Sequence, residues 1–367
     1  MLVAAPAALA DGTETLGPPS VPLAAGTDVL VGGVGTQDQA GTPVELQFEV
    51  PAGASVKQVL VYWNGQHTWP GHGPLEGGDN EIELEGQAVQ GTLIGGPVVP
   101  FLRESYETFR ADVTSLGLVS AGANSITVSG MHNHSDLYPP TGNKGVGISV
   151  IYNDGTPSVR AGYVDGQDYV WSGFEPPYSV TEPQTFTFAA KSAERAASLG
   201  ILAGEAIGPT QTGVQGNVIS GEFDTGETFA LVDALASKKG FELDAENFPV
   251  MVPAGAKSLQ VEIISGGEQP VSLQWLTGSL TIESGDKPPP VDECKPNTYK
   301  WYLWVLWWKQ HLRKKFGQKY ANKYDKYFDD VYKPCVPKPA EKCKTPRTLL
   351  ELLRYYANDC HRRRGRD

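Results

Sequence analysis

The chain has 367 residues and a formal net charge of −12 at pH 7, with 42 glycines and 28 prolines. Because single hydrophobic cores stop growing at about 250–300 residues, this length argues against one domain. The glycines and prolines separate short runs of Val, Ile, Leu and Thr, which favours an all-β body over a helical bundle. Residues 1–290 hold 11 Lys+Arg against 33 Asp+Glu, whereas residues 291–367 hold 19 against 9. An acidic body therefore precedes a basic C-terminal segment.

Residues 1–10, MLVAAPAALA, are small and apolar. They end in Ala8-Leu9-Ala10, which matches the hydrophobic region and A-x-A cleavage site of a secretory signal, although the positive charge that starts such a signal is missing. We therefore expect residues 1–10 to be the remnant of a truncated signal peptide, and the protein to be secreted, either extracellular or on the cell surface. A disordered Ala-rich N terminus is the alternative.

Alternating apolar and polar residues predict strands in the acidic body, each with one buried face. The predicted strands are Val44–Val50, Glu81–Leu84, Gly145–Tyr152, Ser158–Val164, Gln184–Ala189 and Val271–Ile282. Turns are predicted at Asn153-Asp154-Gly155 and Asp165-Gly166. Short helices are predicted over 192–199 and 231–239, the second because it closes with Lys-Lys-Gly.

Two segments of the acidic body have similar sequences. SAGANSITVSG (120–130) and PAGAKSLQVEIISGG (253–267) each place an A-G-A turn before an alternating strand, a design that PAGASVKQVLVYWNG (51–65) shares. Their separation of about 130 residues is close to the size of one β-sandwich domain. We therefore predict a mainly β protein with two jelly-roll-like β-sandwiches, over 20–155 and 156–285. Chance similarity between strand-and-turn segments is the alternative.

The order VLVYWNG, YETFRADVTSLGLVSAGANSITVSG, NKGVGISVIYNDGTPSVRAGYVDGQDY resembles a class of exported bacterial β-sandwich domains found in cell-surface and adhesin-like proteins. In that class an aromatic strand, a D-V-T turn, a G-x-G-x-x-V-I-Y strand and a D-G-x-D turn recur. The resemblance covers residues of about 40–285 and leaves out the basic segment. It implies a surface location and a binding or structural role, and it carries over no active-site residue.

Four of the six histidines lie in two predicted loops, with the sequences QHTWPGHG and MHNHSD. An extended H-x-H segment places both imidazoles on one side, which suits zinc, copper or iron. The candidate metal ligands are His67, His72, His132, His134 and Asp136. Cupin jelly rolls, which bind metal through H-x-H, need a Glu three or four residues later, and this chain has Leu137-Tyr138-Pro139-Pro140 there. Histidines that face water are the alternative interpretation.

Two further site hypotheses concern the acidic body. Acidic turns at 76–81, 165–168 and 224–227 offer the oxygen ligands that calcium prefers, with solvated turns as the alternative. Trp69, beside the first histidine loop, is the candidate exposed platform for a sugar ring, whereas Trp63 is expected in the core.

Catalytic templates are missing from the sequence, which holds no G-x-S-x-G, no H-E-x-x-H and no P-loop. We therefore predict that the protein is not an enzyme and needs no cofactor, with a calcium or transition-metal ion as the alternative. Paired carboxylates for glycoside hydrolysis are not readable from sequence, so a hydrolase also stays open.

The basic segment begins after DKPPPVDE (286–293), which predicts a Pro-rich linker. Apolar residues then recur with helical spacing in three short runs, which predicts a small α-helical module over 294–367. Its core is too small to be stable alone, and the four cysteines, Cys294, Cys335, Cys343 and Cys360, flank the predicted helices. We expect two disulfides, with Cys294–Cys335 and Cys343–Cys360 slightly favoured over Cys294–Cys360 and Cys335–Cys343. A zinc site is the competitor, but no C-x-x-C pair exists.

The run KWYLWVLWWK (300–309) is too short to cross a bilayer, which needs about 20 apolar residues. Its helical spacing places Trp307 on a different face of the predicted helix from the core residues, and this face would contact a partner. The predicted partner-binding residues are Trp307, Lys309, Arg313, Lys314, Lys315, Arg362, Arg363 and Arg364. An anionic surface polymer or an acidic protein surface, including another copy of this chain, fits their charge. Specific nucleic-acid binding is not expected, because no recognition motif is present.

Together these features predict an exported, non-enzymatic surface protein with a structural, adhesive or self-assembly role. The alternative is a metal-dependent or carbohydrate-active enzyme, or a lectin, that uses the histidine loops.

Overall fold

The computed structural model describes residues 8–9, 14–36, 43–68, 79–101, 104–131, 142–206, 217–240, 242–266 and 272–284. All of them belong to one compact unit, Met1–Pro290. The described chain consists of β-strands and one short 3-10 turn, Thr114–Leu116, so the prediction of a mainly β body is confirmed. No helix in these ranges is long and apolar enough to cross a membrane. The linker 286–293 and the module 294–367 lie outside the described residues.

Strands up to residue 153 form two sheets. The first inner sheet contains, in spatial order, β1 (Ala8–Leu9), β7 (Thr92–Phe101), β8 (Glu104–Asp112), β4 (Ser55–Thr68), β10 (Gly142–Asn153) and β2 (Asp28–Gly35). The first outer sheet contains β3 (Val44–Val50), β9 (Gly122–Ser129), β5 (Glu81–Leu84) and β6 (Gln87–Gln90). β3 alternates strictly between buried and exposed residues, as a strand with one face on a core must.

A continuous apolar core fills the space between these two sheets. Leu46 of β3, Ile126 of β9 and Trp63 of β4 are at most 1% exposed and belong to this core. The expectation that Trp63 lies in the core is therefore confirmed.

Strands from residue 158 onward form two further sheets. The second inner sheet contains β11 (Ser158–Trp171), β18 (Ser272–Glu283), β13 (Arg195–Gly204) and β16 (Leu243–Val252). The second outer sheet contains β12 (Gln184–Thr187), β17 (Ser258–Ile264), β14 (Val218–Phe223) and β15 (Thr228–Val232). Phe186 of β12 lies directly against Gly162 of β11, so these sheets also stack as a sandwich.

The two inner sheets pack face to face. Leu60 and Ile151 of the first inner sheet share an apolar cluster with Leu202 and Leu276 of the second. Gly147 of β10 permits this close approach, because a Cβ there would lie 2.5 Å from the methyl carbons of Leu202. The first ten residues of β10 are consequently buried on both faces, which is consistent with the mostly apolar run from Gly145 to Ile151.

The two segments with similar sequences form equivalent strands of the two outer sheets. SAGANSITVSG forms β9, between β3 and β5 of the first outer sheet, and PAGAKSLQVEIISGG forms β17, between β12 and β14 of the second. PAGASVKQVLVYWNG instead leads into β4 of an inner sheet.

Three local predictions are wrong. Residues 192–199 run into β13, and residues 231–239 hold the end of β15 followed by turns, so neither segment is helical. Asp165-Gly166 does not end a strand but lies at an irregularity within β11, where the register with β18 shifts. β13 has paired neighbours on both edges, β16 and β18, and this pairing outweighs the helical preference of its Ala- and Leu-rich sequence.

Candidate functional site

One histidine segment follows β4 and the other precedes β10, and these two strands are neighbours in the first inner sheet. β4 ends at Thr68 and β10 begins at Gly142, and Gln66 pairs with Gly142 in the antiparallel register. The end of β4 therefore lies beside the start of β10. The adjacency that a shared metal site would need is present at the strand ends.

The predicted ligands themselves fall at the edge of what the structure describes. The backbone of His67 lies on β4 opposite Ser105 of β8. Its side chain, Trp69, His72, His132, His134 and Asp136 lie outside the described residues. Within the described ranges no group of three or more His, Cys, Asp or Glu side chains is arranged to hold a metal ion. Metal binding by the histidine segments stays a prediction.

Asp165, the first carboxylate of the segment 165–168 within β11, accepts hydrogen bonds from other buried side chains. Asp165 Oδ2 accepts hydrogen bonds from Arg110 Nη1 at 2.5 Å and from the Tyr62 hydroxyl at 3.1 Å. The hydroxyls of Tyr62 and Tyr163 lie 2.7 Å apart, and Arg110 Nη2 donates to Ser20 Oγ at 2.7 Å. Burial raises the pKa of Asp165, and Arg110 opposes that shift. The geometry makes Asp165 the centre of a structural network and gives no support to calcium there.

Asp168, the second carboxylate of this segment of β11, is 2% exposed. Its Oδ2 accepts a hydrogen bond from the backbone N–H of Glu182 at 2.8 Å. The pKa of Asp168 is raised to about 8, chiefly by burial and also by the carboxylates of Glu14 and Glu182, while the hydrogen bond from Glu182 opposes the shift. A carboxyl group that keeps its proton near neutral pH is a poor calcium ligand.

The acidic turn at 224–227 has a structural use as well. Asp224 Oδ1 accepts hydrogen bonds from the backbone N–H groups of Lys257 and Ser258, at 2.8 and 3.3 Å. These bonds lower the pKa of Asp224 and tie the turn between β14 and β15 to the start of β17.

A buried charged triad lies near the end of the body from which the histidine segments leave. Lys144 Nζ, at the start of β10, lies 2.5 Å from Glu242 Oε2 and 3.3 Å from Glu205 Oε1. The three side chains are 3%, 9% and 8% exposed, respectively. Burial alone would lower the pKa of Lys144, but the two carboxylates outweigh it and raise that pKa. The triad holds one more negative than positive charge.

Sequence patterns did not predict this triad. Its three residues are far apart in the sequence, and Glu205 and Glu242 each lie beside a strand end without a recognisable motif. The available signal was a lysine at the start of an almost uninterrupted apolar strand, where a charge needs a buried partner.

The strands of the first outer sheet carry exposed acidic residues and no basic residue. Its four strands contain no Lys or Arg. The exposed glutamates on these strands and on the turn between β5 and β6 are Glu45, Glu49, Glu81, Glu83 and Glu85. Hydrogen bonds from Ser125 and Thr127, at 2.5 and 2.8 Å, lower the pKa of Glu45. We call these five glutamates the acidic face.

The residues predicted to complement such a surface all belong to the C-terminal segment. They lie outside the described residues, and so do the four cysteines. They are Trp307, Lys309, Arg313, Lys314, Lys315, Arg362, Arg363 and Arg364, with Cys294, Cys335, Cys343 and Cys360. Partner binding and disulfide formation stay predictions.

No protein-family model matches the chain, and no curated protein matches it either. Among solved structures it is similar to a peptide-N(4)-(N-acetyl-β-D-glucosaminyl) asparagine amidase, with 10% identity, 71% of this chain and 97% of that chain covered, and a TM-score of 0.25. It is also similar to a structure of infectious bursal disease virus, Gt strain, with 11% identity, coverage of 76% and 78%, and a TM-score of 0.24. A third similar structure is the STIV MCP, with 10% identity, coverage of 68% and 96%, and a TM-score of 0.21. At these values the likenesses assign the chain to no family and carry no argument about its function.

Proposed function

We propose that the chain is an exported, non-enzymatic surface protein, built on two jelly-roll-like sandwiches, whose copies join head to tail. The acidic face of one copy binds the basic C-terminal segment of another. The observation that carries this proposal is the acidic face itself, an exposed sheet surface with five glutamates and no basic residue on its strands.

Charge complementarity supports this pairing. Residues 291–367 hold 19 Lys+Arg against 9 Asp+Glu, so they carry the positive charge that the acidic face lacks. Attraction between opposite surface potentials speeds association and selects partners, and it weakens as salt shortens the Debye length, which is about 8 Å at physiological ionic strength.

The expected form of the assembly follows from the position of the two surfaces. An acidic surface and a basic surface on the same chain make a heterologous contact, in which each copy uses a different patch from its neighbour. Such contacts give rings or open chains rather than two-fold dimers. An open chain of copies suits a structural or adhesive layer on a cell surface.

Sedimentation of the full chain tests the proposal. The wild type should assemble at low ionic strength and dissociate at about 1 M salt, where the Debye length is about 3 Å. The quadruple variant Glu45→Gln/Glu49→Gln/Glu81→Gln/Glu83→Gln should stay monomeric at low salt. A wild type that is monomeric at low salt would refute self-assembly.

The matched control removes four exposed carboxylates elsewhere on the body. Glu175→Gln, Glu194→Gln, Glu222→Gln and Glu283→Gln combined change the net charge equally, and all four positions are exposed. This variant should assemble like the wild type. Equal loss of assembly in both variants would mean that total charge, and not the acidic face, is responsible.

A second candidate function is metal or carbohydrate binding by the histidine segments, and the pairing of Gln66 with Gly142 favours it. This pairing places the end of β4, which the first segment follows, beside the start of β10, which the second segment precedes. Metal analysis of the purified chain tests the metal form, with His132→Ala as the control. Stoichiometric metal that the variant loses would support it, and metal-free wild-type protein would exclude it.

A further inference from the structure

A pocket of about 270 Å³ lies at the edge of the first sandwich. One side of it is formed by β6, the edge strand of the first outer sheet, and another by the end of β8 in the first inner sheet. Val21, from the segment before β2, and Leu116, from the 3-10 turn after β8, complete its walls. The pocket is therefore lined by both sheets of the sandwich.

The pocket adjoins the acidic face. Ala88 and Gln90 of β6 line the pocket, and both residues are exposed. In the antiparallel register Gln90 pairs with Glu81 of β5, and Ala88 pairs with Glu83. Directly opposed residues of such a pair point to the same face of the sheet. A chain that binds Glu81 and Glu83 therefore lies beside the pocket.

One carboxylate without a basic partner lines the pocket. Of the lining residues only Arg110 and Asp112 are charged. Arg110 is paired with Asp165, with Nη1 2.5 Å from Oδ2. Asp112 instead accepts hydrogen bonds from neutral donors, Gln58 Nε2 at 2.7 Å and the N–H and hydroxyl of Thr114 at 3.0 and 2.5 Å. The lining therefore carries the negative charge of Asp112.

Asp112 keeps both this charge and the capacity for one more hydrogen bond. Burial alone would raise the pKa of Asp112, but the hydrogen bonds from Thr114 and Gln58 outweigh it and lower that pKa. An ionised carboxylate has about four lone-pair sites for hydrogen bonds, and these bonds occupy three of them. One further donor can therefore bind to Asp112, and a positive charge on that donor is favourable.

The apolar walls select the kind of cation. Val21 and Leu116 are half-buried, and Ala88 is exposed, so apolar surface surrounds the carboxylate. The methylene stem of a lysine packs on such a surface while its ammonium group pairs with an acid. An arginine binds best when two free carboxylate oxygens accept its planar fork, whereas both oxygens of Asp112 already accept hydrogen bonds. The pocket therefore suits lysine better than arginine.

We propose that this pocket binds the side chain of one lysine from the basic C-terminal segment of a neighbouring copy. This inference rests on the head-to-tail assembly proposed above and adds a defined contact to it. The exposed glutamates of the acidic face attract the basic segment over a broad surface. The pocket holds one side chain at a fixed place and so sets the register of the contact, as buried anchor residues do in other interfaces.

Sedimentation of the full chain at low ionic strength tests the pocket. Asp112→Asn should weaken self-association by about tenfold or more, because the ammonium group loses its charged partner. The matched control is Asp154→Asn. Asp154 accepts hydrogen bonds from the N–H and hydroxyl of Thr156, at 2.8 and 2.6 Å, in the same way as Asp112 does from Thr114, but it lies outside the pocket. The control should assemble like the wild type.

A second variant fills the pocket without changing any charge. Ala88→Phe adds a ring at the exposed edge strand and should weaken self-association as Asp112→Asn does. It also keeps the test decisive if Asp112→Asn does not fold. Ala190→Phe adds the same ring at an exposed alanine outside the pocket and should assemble like the wild type.

Competition with a small probe tests the preference for lysine. N-acetyl-L-lysine methylamide carries the lysine side chain and no other charge. It should dissociate the wild-type assembly at a lower ionic strength than sodium chloride does, because it occupies the pocket as well as screening charge.

Three results would overturn the inference. A wild type that assembles together with Asp112→Asn and Ala88→Phe to the same extent would remove the pocket and leave head-to-tail assembly standing. A lysine probe that is no more effective than sodium chloride would exclude lysine as the occupant. A wild type that is monomeric at low salt would overturn both the assembly and the proposed occupant.

Discussion

Arg110 of β8 and Asp165 of β11 form an ion pair across the boundary between the two inner sheets, with Nη1 2.5 Å from Oδ2. Their side chains are 1% and 4% exposed. Tyr62 donates a second hydrogen bond to the same carboxylate oxygen. The ion pair is therefore a polar contact within a largely apolar boundary. Removing either partner would leave the other as an unpaired buried charge, which destabilises the folded state.

Removal of one partner should destabilise the protein strongly. We expect Arg110→Met to lower the free energy of unfolding by about 3–5 kcal/mol, because Asp165 is left as an uncompensated buried charge. The double variant Arg110→Met/Asp165→Leu should recover a large part of that loss, since the unpaired charge is gone. Urea unfolding of the single and double variants measures both. A single variant that unfolds like the wild type would contradict the structure at this boundary.

Asp168 should make the stability fall as the pH rises. In the unfolded chain an aspartate titrates near about 3.9, whereas burial raises the pKa of Asp168 in the folded state to about 8. The folded state therefore holds the extra proton between these values, and the unfolding free energy decreases through that window. Each pKa unit corresponds to about 1.4 kcal/mol.

Asp168→Asn should remove this contribution. The amide oxygen can still accept the N–H of Glu182, and no charge develops, so the variant should be more stable than the wild type at about pH 9. Chemical denaturation across a pH series measures the slope. The exposed Glu194→Gln variant should keep the wild-type slope, and an unchanged slope in Asp168→Asn would refute the assignment.

Gly147→Ala should destabilise the packing of the inner sheets. The added methyl would lie 2.5 Å from two methyl carbons of Leu202, which is 0% exposed and fixed in the core between the sheets. We expect a loss of about 1–3 kcal/mol from overpacking. Gly17→Ala meets nothing within 4 Å and should change the stability by less than about 0.5 kcal/mol. Thermal unfolding compares the two, and equal effects would contradict the close approach of the sheets.

The four cysteines should form two disulfides in the exported protein. A peptide map of the unreduced chain by mass spectrometry should show Cys294 linked to Cys335 and Cys343 linked to Cys360, with Cys294–Cys360 and Cys335–Cys343 as the other expected pairing. Four free thiols in protein recovered from the exporting cells would contradict both the pairing and the predicted compartment.

Several predictions from local patterns agree with the structure because they depend only on neighbouring residues. The alternation in VELQFEV predicted β3 with its observed bounds, Val44–Val50, and the alternation in EIEL predicted β5 with its observed bounds, Glu81–Leu84. The helix predicted over 192–199 was wrong because composition is a weak guide where strands pair on both edges.

Less of the candidate site than of the fold could be predicted from the sequence. The histidine segments could be recognised from the residues, and the pairing of Gln66 with Gly142 then showed that their strand ends are adjacent. The triad could not be recognised, because Lys144 and Glu242 are separated by 98 residues and neither has a motif around it.

The sequence by itself determined the strand-rich body, the alternation that makes outer sheets one-sided, and the division into an acidic body and a basic segment. These are local or summed properties of the chain, and they need no knowledge of which strands meet. Only the tertiary structure decided that Arg110 faces Asp165, that Gly204 faces Asn64, and that one lysine is shared by two glutamates. Those contacts depend on how two sheets stack, and stacking is set by the packing of whole faces rather than by the residues on either side in the chain.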